Sequence, residues 1–306
     1  MYYNPLVPIY LFPPSDDINK YAVYERYDAD RNFKTQYWPY GNQGLGMQNP
    51  YWIINRNMFN TDRDRYIISL SMKWNITNWL NIIGRARIDN AYTDFERKLY
   101  ASTDGLFAKS QGNYMNQEDK NTSTYLDFLV NVDKKFGENY HLLVNLGGSF
   151  YDEKYKSDTF EGNLVGVPNF FHPSNIPSTE SNYNKSELHT QTQSIYGKAE
   201  IGYRNFLYAD VTGRIDWFST LVGTSKEYVC YPSVGLSVIL SEILPLPEKI
   251  ISFWKIRGSY AQVGNPPSAY LPYATVALEN GNATSANFTP ASHLKPEMTK
   301  AFEFGM

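Results

Sequence analysis

Two Arg-x-Asp pairs, Arg87 with Asp89 and Arg214 with Asp216, are the residues best spaced for chemistry. On a strand, positions i and i+2 project from one face, so each pair sets a cation beside a carboxylate. Two uses suit such groups. Glycoside hydrolysis would pair carboxylates such as Asp210 and Asp216, held about 5–9.5 Å apart. A wet wall would instead carry a ladder of ion pairs and hydrogen bonds to neighbouring strands or to an internal plug. The same polar faces include Arg85, Asp127, Asn131 and Asp210. A second group, Tyr37, Trp38, Tyr40, Tyr51 and Trp52, could stack on sugar rings or simply pack a large loop.

Other chemistries find no residues. No HExxH, GxSxG or P-loop pattern occurs. His141, His172, His189 and His293 have no partner at metal-ligand spacing. The GNQGLG run from Gly41 reads as loop, since no strand precedes it and no helix follows. Cys230 stands alone among apolar neighbours and is expected to be an inert buried thiol. No catalytic residue, metal or cofactor is expected.

The elements that carry these residues are strands. Leu126, Phe128, Val130 and Val132 alternate with Tyr125, Asp127, Asn131 and Asp133. From Leu80, the apolar Leu80, Ile82, Ala86 and Ile88 alternate with Asn81, Arg85, Arg87 and Asp89. From Leu207, the apolar Leu207, Ala209, Val211, Ile215 and Trp217 alternate with Tyr208, Asp210, Thr212, Arg214 and Asp216. Each segment runs for about 10 to 14 residues, against about 5 to 6 for an average soluble strand. A tilted membrane-spanning strand needs about 9 to 11. Eight strands are expected, over 64–74, 79–92, 122–136, 140–155, 188–203, 206–218, 229–241 and 253–263, with a ninth from 294.

The connections divide into two kinds. Asn75–Asn78, Gly137–Asn139 and Arg204–Asn205 are tight turns. Between them lie long polar loops over 93–122, 156–187 and 264–292. That asymmetry belongs to bacterial outer-membrane barrels. Trp74, Trp79, Phe136, Tyr140, Phe206, Phe253 and Trp254 flank the tight turns, as an interfacial girdle does. The expected class is all-β: a segment of an antiparallel up-and-down transmembrane barrel, with residues 1–62 as extracellular loop and 63–306 as barrel.

Composition agrees. Of 306 residues, 42% are apolar and only 19% charged, and 26 are tyrosines. A net charge of −3 with no basic run leaves no footprint for nucleic acid. No run of about 18 apolar residues makes a transmembrane helix, and no export signal opens the chain. A self-contained eight-stranded barrel, acting as adhesin or pore, is an alternative; it requires 64–74 to pair with 253–263. A soluble carbohydrate-binding β protein or hydrolase is another.

Three stretches then point to a family: QNPYWIINRN from Gln48 with DRYIISLSMKWNITNWLNIIGRARID from Asp64; YADVTGRIDWFSTL from Tyr208 with YPSVGLSVILSE from Tyr231; and WKIRGSYAQVGN from Trp254 with LKPEMTKAFEFG from Leu294. Together they resemble the SusC/RagA group of TonB-linked outer-membrane proteins of Bacteroidetes. Where that group has an R-x-D-x-S-S-like sequence, this chain has Arg214-Ile-Asp216-Trp-Phe-Ser219. The resemblance implies a 22-stranded barrel closed by a plug, and a place in the outer membrane. It also implies import of oligosaccharides or peptides, a SusD-like lipoprotein lid, and energy from the TonB complex. On this reading the chain is a partial barrel lacking plug and final strands.

Overall fold

The computed structural model describes residues 4–41, 48–245, 251–273, 276–279, 282–285 and 294–306. Helix α1 (Leu6–Tyr10) opens the chain, followed by a short hairpin of β1 (Glu25–Asp28) and β2 (Phe33–Gln36) and by α2 (Pro50–Arg56). Long strands follow: β3 (Asn57–Asn75), β4 (Leu80–Tyr100), β5 (Gly112–Phe136), β6 (Tyr140–Asn163) and β7 (Ser181–Tyr203). Shorter ones complete the series: β8 (Leu207–Phe218), β9 (Tyr228–Ile239), β10 (Lys255–Asn265), the small pair β11 (Val276–Glu279) and β12 (Asn282–Ser285), and β13 (Glu297–Gly305).

One nine-stranded sheet has the order β13-β10-β9-β8-β7-β6-β5-β4-β3. Sequence neighbours pair as successive hairpins, the up-and-down arrangement expected. Both edges of β10 are taken, by β9 and β13. The pairing of 64–74 with 253–263 required by a self-contained eight-stranded barrel therefore does not occur.

Two compact units divide the residues. One comprises Met1–Arg65, Ala91–Asn121 and Tyr155–Glu187; the other comprises Tyr66–Asn90, Thr122–Lys154 and Leu188–Met306. Strands β3 to β7 contribute residues to both. The first unit obeys water-soluble rules. It has an inward-turned apolar cluster: Leu164, Tyr114 and Ile176 are buried together, with Phe160 and Phe171 packed against them.

The second unit buries Leu221, Val229 and Tyr231 together, with Phe218 and Met298 against them, but along much of its strands the rule is inverted. In β5, Leu126 and Phe128 are 45% and 50% exposed, while Asp127 between them is 7% exposed. Ile195, Val211, Val234 and Leu236 are exposed, whereas Ser194 and Asp216 are buried. The register explains the continuity of the greasy face. Ala199 lies opposite Val211, Val211 opposite Val234, Val234 opposite Tyr260, and Tyr260 opposite Phe302. An apolar patch crossing five strands is larger than a water-soluble monomer ordinarily shows. It also overturns the expectation for Cys230. That thiol is exposed, because it lies opposite Ile215 on this outward face and not in a core.

The tight turns fall where expected, at residues 76–79, 137–139 and 204–206. Gly137, Arg204 and Asn205 take positive φ there. Arg204 is held in place because its Nε donates to Asn139 Oδ1 at 2.9 Å. The long connections are shorter than the sequence suggested, at 101–111 and 164–180, because β4 to β7 continue well past their apolar stretches. Helix α2 went unforeseen. Its signal is local: Asn49 accepts a hydrogen bond from Tyr51 N, and Pro50 supplies the first turn. The GNQGLG residues after Gly41 and His293 lie outside the described residues.

Candidate functional site

Within the second unit, the polar face of the sheet gathers most of the residues singled out by spacing. At its centre Arg85 on β4 grips Asp127 on β5 with two nitrogens. Nε donates to Oδ1 at 2.7 Å and an NH2 group donates to Oδ2. The Asp127 side chain is fully enclosed while Arg85 is about half open. Tyr125 Oη donates to the same carboxylate at 3.1 Å and Tyr196 Oη at 3.4 Å. Tyr196 comes from β7, two strands away from β5. It reaches across because β6 carries Gly147 beneath its ring; a Cβ there would stand 2.8 Å from that ring.

The network continues on the other side of Tyr196. The Arg214 guanidinium lies 5.5 Å from the Tyr196 ring centre. Arg214 Nε donates to Asp216 Oδ1 at 2.7 Å, and its NH2 group donates to Ser194 Oγ at 2.9 Å. Nearer the tight turns, Asn131 Nδ2 donates to Asn81 Oδ1 at 2.9 Å and its own Oδ1 accepts from Asn145 at 2.6 Å. Three strands are thereby stitched by amides. Arg87 pairs with Asp89 at 2.7 Å. Asp210 sits against Gly235, in the row Glu200–Asp210–Gly235–Ser259–Glu303.

This arrangement can present fixed donors and acceptors to water or to a polar solute. It does not assemble a glycosidase dyad. Asp210 and Asp216 lie six residues apart on one strand, or roughly 20 Å at 3.3 Å per residue, far beyond the span that such catalysis uses. His141 and His189 each contact a carboxylate, Asp133 at 2.7 Å and Asp152 at 2.6 Å. Among the described residues no three His, Cys, Asp or Glu side chains converge as a metal site.

The residues thus placed are a wall with one greasy and one wet face, and sequence comparison names the kind of wall. A family model described as TonB dependent receptor-like, beta-barrel, matches residues 10–306. The chain belongs to the TonB-dependent receptor β-barrel family. Solved relatives of this receptor barrel agree in fold. The RagAB peptide importer in its open-open state superposes with a TM-score of 0.71 at 16% identity, covering 91% of this chain and 31% of that one. A second RagAB peptide transporter structure gives 0.70 at 15% identity, with the same coverage. The closed-closed state gives 0.68 at 16%. This stretch of receptor barrel therefore spans about a third of those chains' length. No curated protein sequence matches it.

The aromatic residues singled out as ligand-stacking lie in the first unit and meet different fates. Trp52 is 1% exposed, and its Nε1 donates to Thr103 Oγ1 at 3.1 Å. Tyr37 lies beneath Arg26, whose guanidinium is 3.3 Å from the ring centre. Trp38 and Tyr40 join Phe12 and Tyr21 in a knot of rings 5.3–6.0 Å apart, edge-on except for the tilted Phe12–Trp38 pair. Asp16 ties the knot, accepting from Tyr21 Oη at 2.6 Å, Tyr40 Oη at 2.8 Å and Lys20 Nζ at 2.8 Å. Lys20 first, then the two hydroxyls, hold the Asp16 carboxyl well below the usual carboxylate range. Nearby, burial raises the Glu25 pKa, but hydrogen bonds from Arg56 and Lys34 outweigh it and the net shift is downward. Tyr51 is half-buried on α2. A cavity of about 290 Å³ is lined by Trp38, Gln48 and Asp104 among others. The buried Trp38 Nε1 and Gln48 Nε2 have no hydrogen-bond partner among the described residues.

Proposed function

We propose that this chain forms part of the wall and the outward-facing loops of an outer-membrane importer for oligosaccharides or peptides. The single observation that carries this is the inverted exposure in β5, with Leu126 and Phe128 out and Asp127 in. In water that arrangement wastes apolar surface; in hydrocarbon it is required. On this reading Arg85, Arg87, Asp89, Asp127, Asn131, Asp210, Arg214 and Asp216 face the lumen. Residues 63–306 make barrel wall, and residues 1–62 contribute extracellular loop.

The polar network fixes the wall, and the solute meets it as a lining of amides, hydroxyls and paired charges. On this reading Tyr37, Trp38, Tyr40 and Tyr51 are the loop aromatics offered to a ligand, and Trp38 lines a cavity of the first unit. The RagAB likeness favours peptides as cargo. A SusD-like surface lipoprotein is the partner this assignment calls for, and TonB the energy source.

A paired experiment tests the proposal. Nitroxide labels at Val211 and Thr212 should report, respectively, contact with oxygen-rich lipid and with a water-soluble relaxant. Cells lacking the protein should lose uptake of labelled peptides or oligosaccharides. Water-accessible labels at both positions, with uptake unchanged, would overturn it.

A further inference from the structure

The outward face of the second unit is not smooth. A trough of about 640 Å³ crosses β5 to β8, walled by Leu126, Phe128, Phe150, Ile195 and Trp217 and floored by Gly148. Leu126, Phe128 and Ile195 are large apolar side chains standing open. Gly148 makes the depression, since any larger residue there would project outward from the strand. The trough continues into a second hollow of about 430 Å³ that shares Gln193, Ile195 and Trp217 and adds Gln191, Ser219 and Glu227. Phe218 and Val222 keep part of this hollow apolar, while Gln191, Gln193, Ser219 and Glu227 add amide, hydroxyl and carboxylate to its wall.

Charged groups adjoin the trough. On the same face of β6, past Phe150, stand Asp152 and Lys154. Lys154 Nζ is 3.8 Å from Asp152 and about half exposed, so most of its donor capacity is open. Asp152 is already engaged by His189 and Gln191. Glu227, exposed, supplies the opposite sign at the end of the second hollow. From Gly148 to Lys154 is six residues of strand, roughly 20 Å, which is about the reach of an extended acyl chain with its head.

We propose that this trough is a specific site for one membrane lipid with a zwitterionic phosphoethanolamine head. The acyl chain lies over Gly148 between Phe128, Phe150 and Trp217. Lys154 takes the phosphate and Glu227 the ammonium, with Gln191 and Gln193 donating at the junction. A purely anionic head fits less well, because Asp152 and Glu227 would repel it. The site rests on the reading of this face as lipid-facing, but claims more: a bound molecule and not bulk solvent.

The test uses the protein in phosphatidylcholine vesicles containing a rising fraction of phosphatidylethanolamine with brominated chains, which quench tryptophan on contact. The contribution of Trp217 is isolated by subtracting the Trp217→Phe variant. A bound lipid predicts quenching that saturates while the brominated lipid is still a small minority. Lys154→Glu should raise the half-saturating fraction about fivefold, the size of one charged contact at a wet rim. Gln193→Phe, which fills the throat of the trough without adding a second tryptophan, should abolish saturation. Quenching that rises in proportion to bromine content overturns the site while leaving a lipid-facing wall intact. No Trp217 quenching at any fraction overturns both.

Discussion

The ring of Tyr196 lies on Gly147, and that contact lets its hydroxyl reach Asp127 from two strands away. Glycine is required there by space alone. An added Cβ would stand 2.7 Å from the Phe128 carbonyl oxygen as well as 2.8 Å from the ring. Gly147→Ala should therefore destabilise the barrel wall by about 1–3 kcal/mol, the usual cost of overpacking. Gly84→Ala, with nothing within 4 Å of the new methyl, is the control. Urea titration of the folded protein in lipid should separate the two; equal midpoints would show that the contact carries no energy.

Arg85→Ala removes the two-nitrogen grip on a carboxylate whose side chain is enclosed. Breaking a fully buried pair costs about 3–5 kcal/mol. Arg85 is half open, so about 1–3 kcal/mol is expected after allowing for solvent screening. Adding Asp127→Asn should recover a large part of the loss, because no unpaired charge is then left behind. A double-mutant cycle on unfolding midpoints measures this, and strict additivity would contradict it.

A charge placed on the opposite face reports its solvent. Val234→Arg should cost about 2–4 kcal/mol if that side chain meets hydrocarbon near the membrane centre. In water the same exposed substitution would change stability by no more than about 0.5 kcal/mol. Refolding yield into lipid vesicles distinguishes them.

The aromatic knot around Asp16 should respond to acid. A carboxyl held below its ordinary value of 3.8 contributes stability that is complete above that value and is lost as pH falls beneath it. Near-UV circular dichroism from Trp38, Tyr21 and Tyr40 should stay constant from about pH 7 to 5 and decline below about pH 4. Asp16→Asn should remove the dependence. Tyr21 is raised above its ordinary 10.0, chiefly by its bond to Asp16; its hydroxyl should stay protonated when exposed tyrosines ionise.

Much of the wall was legible because strand alternation is a short-range pattern. Leu126, Asp127 and Phe128 declare two faces with no knowledge of partners. Which polar residue meets which was not legible. Arg87–Asp89 and Arg214–Asp216 could be read two apart, but Arg85–Asp127 and Tyr196–Asp127 depend on register and on the gap at Gly147. Strand ends were misjudged because β4 to β7 leave the alternating pattern and continue under water-soluble rules, where Leu99 and Tyr114 turn inward. Cys230 was misread because apolar neighbours imply a core only when the surrounding solvent is water. Trp52 shows the converse: an aromatic residue in a long segment is a packing element once Thr103 captures its N–H.

Strand β5 contains both regimes in one continuous ribbon, with Tyr114 shielded at one end and Phe128 bare at the other. Such a polypeptide cannot mature in a single environment. The stretch near Tyr114 is competent to collapse in aqueous surroundings, whereas the stretch near Phe128 would adhere to any greasy neighbour before reaching a bilayer. In water that bare stretch is the part of β5 most prone to self-association.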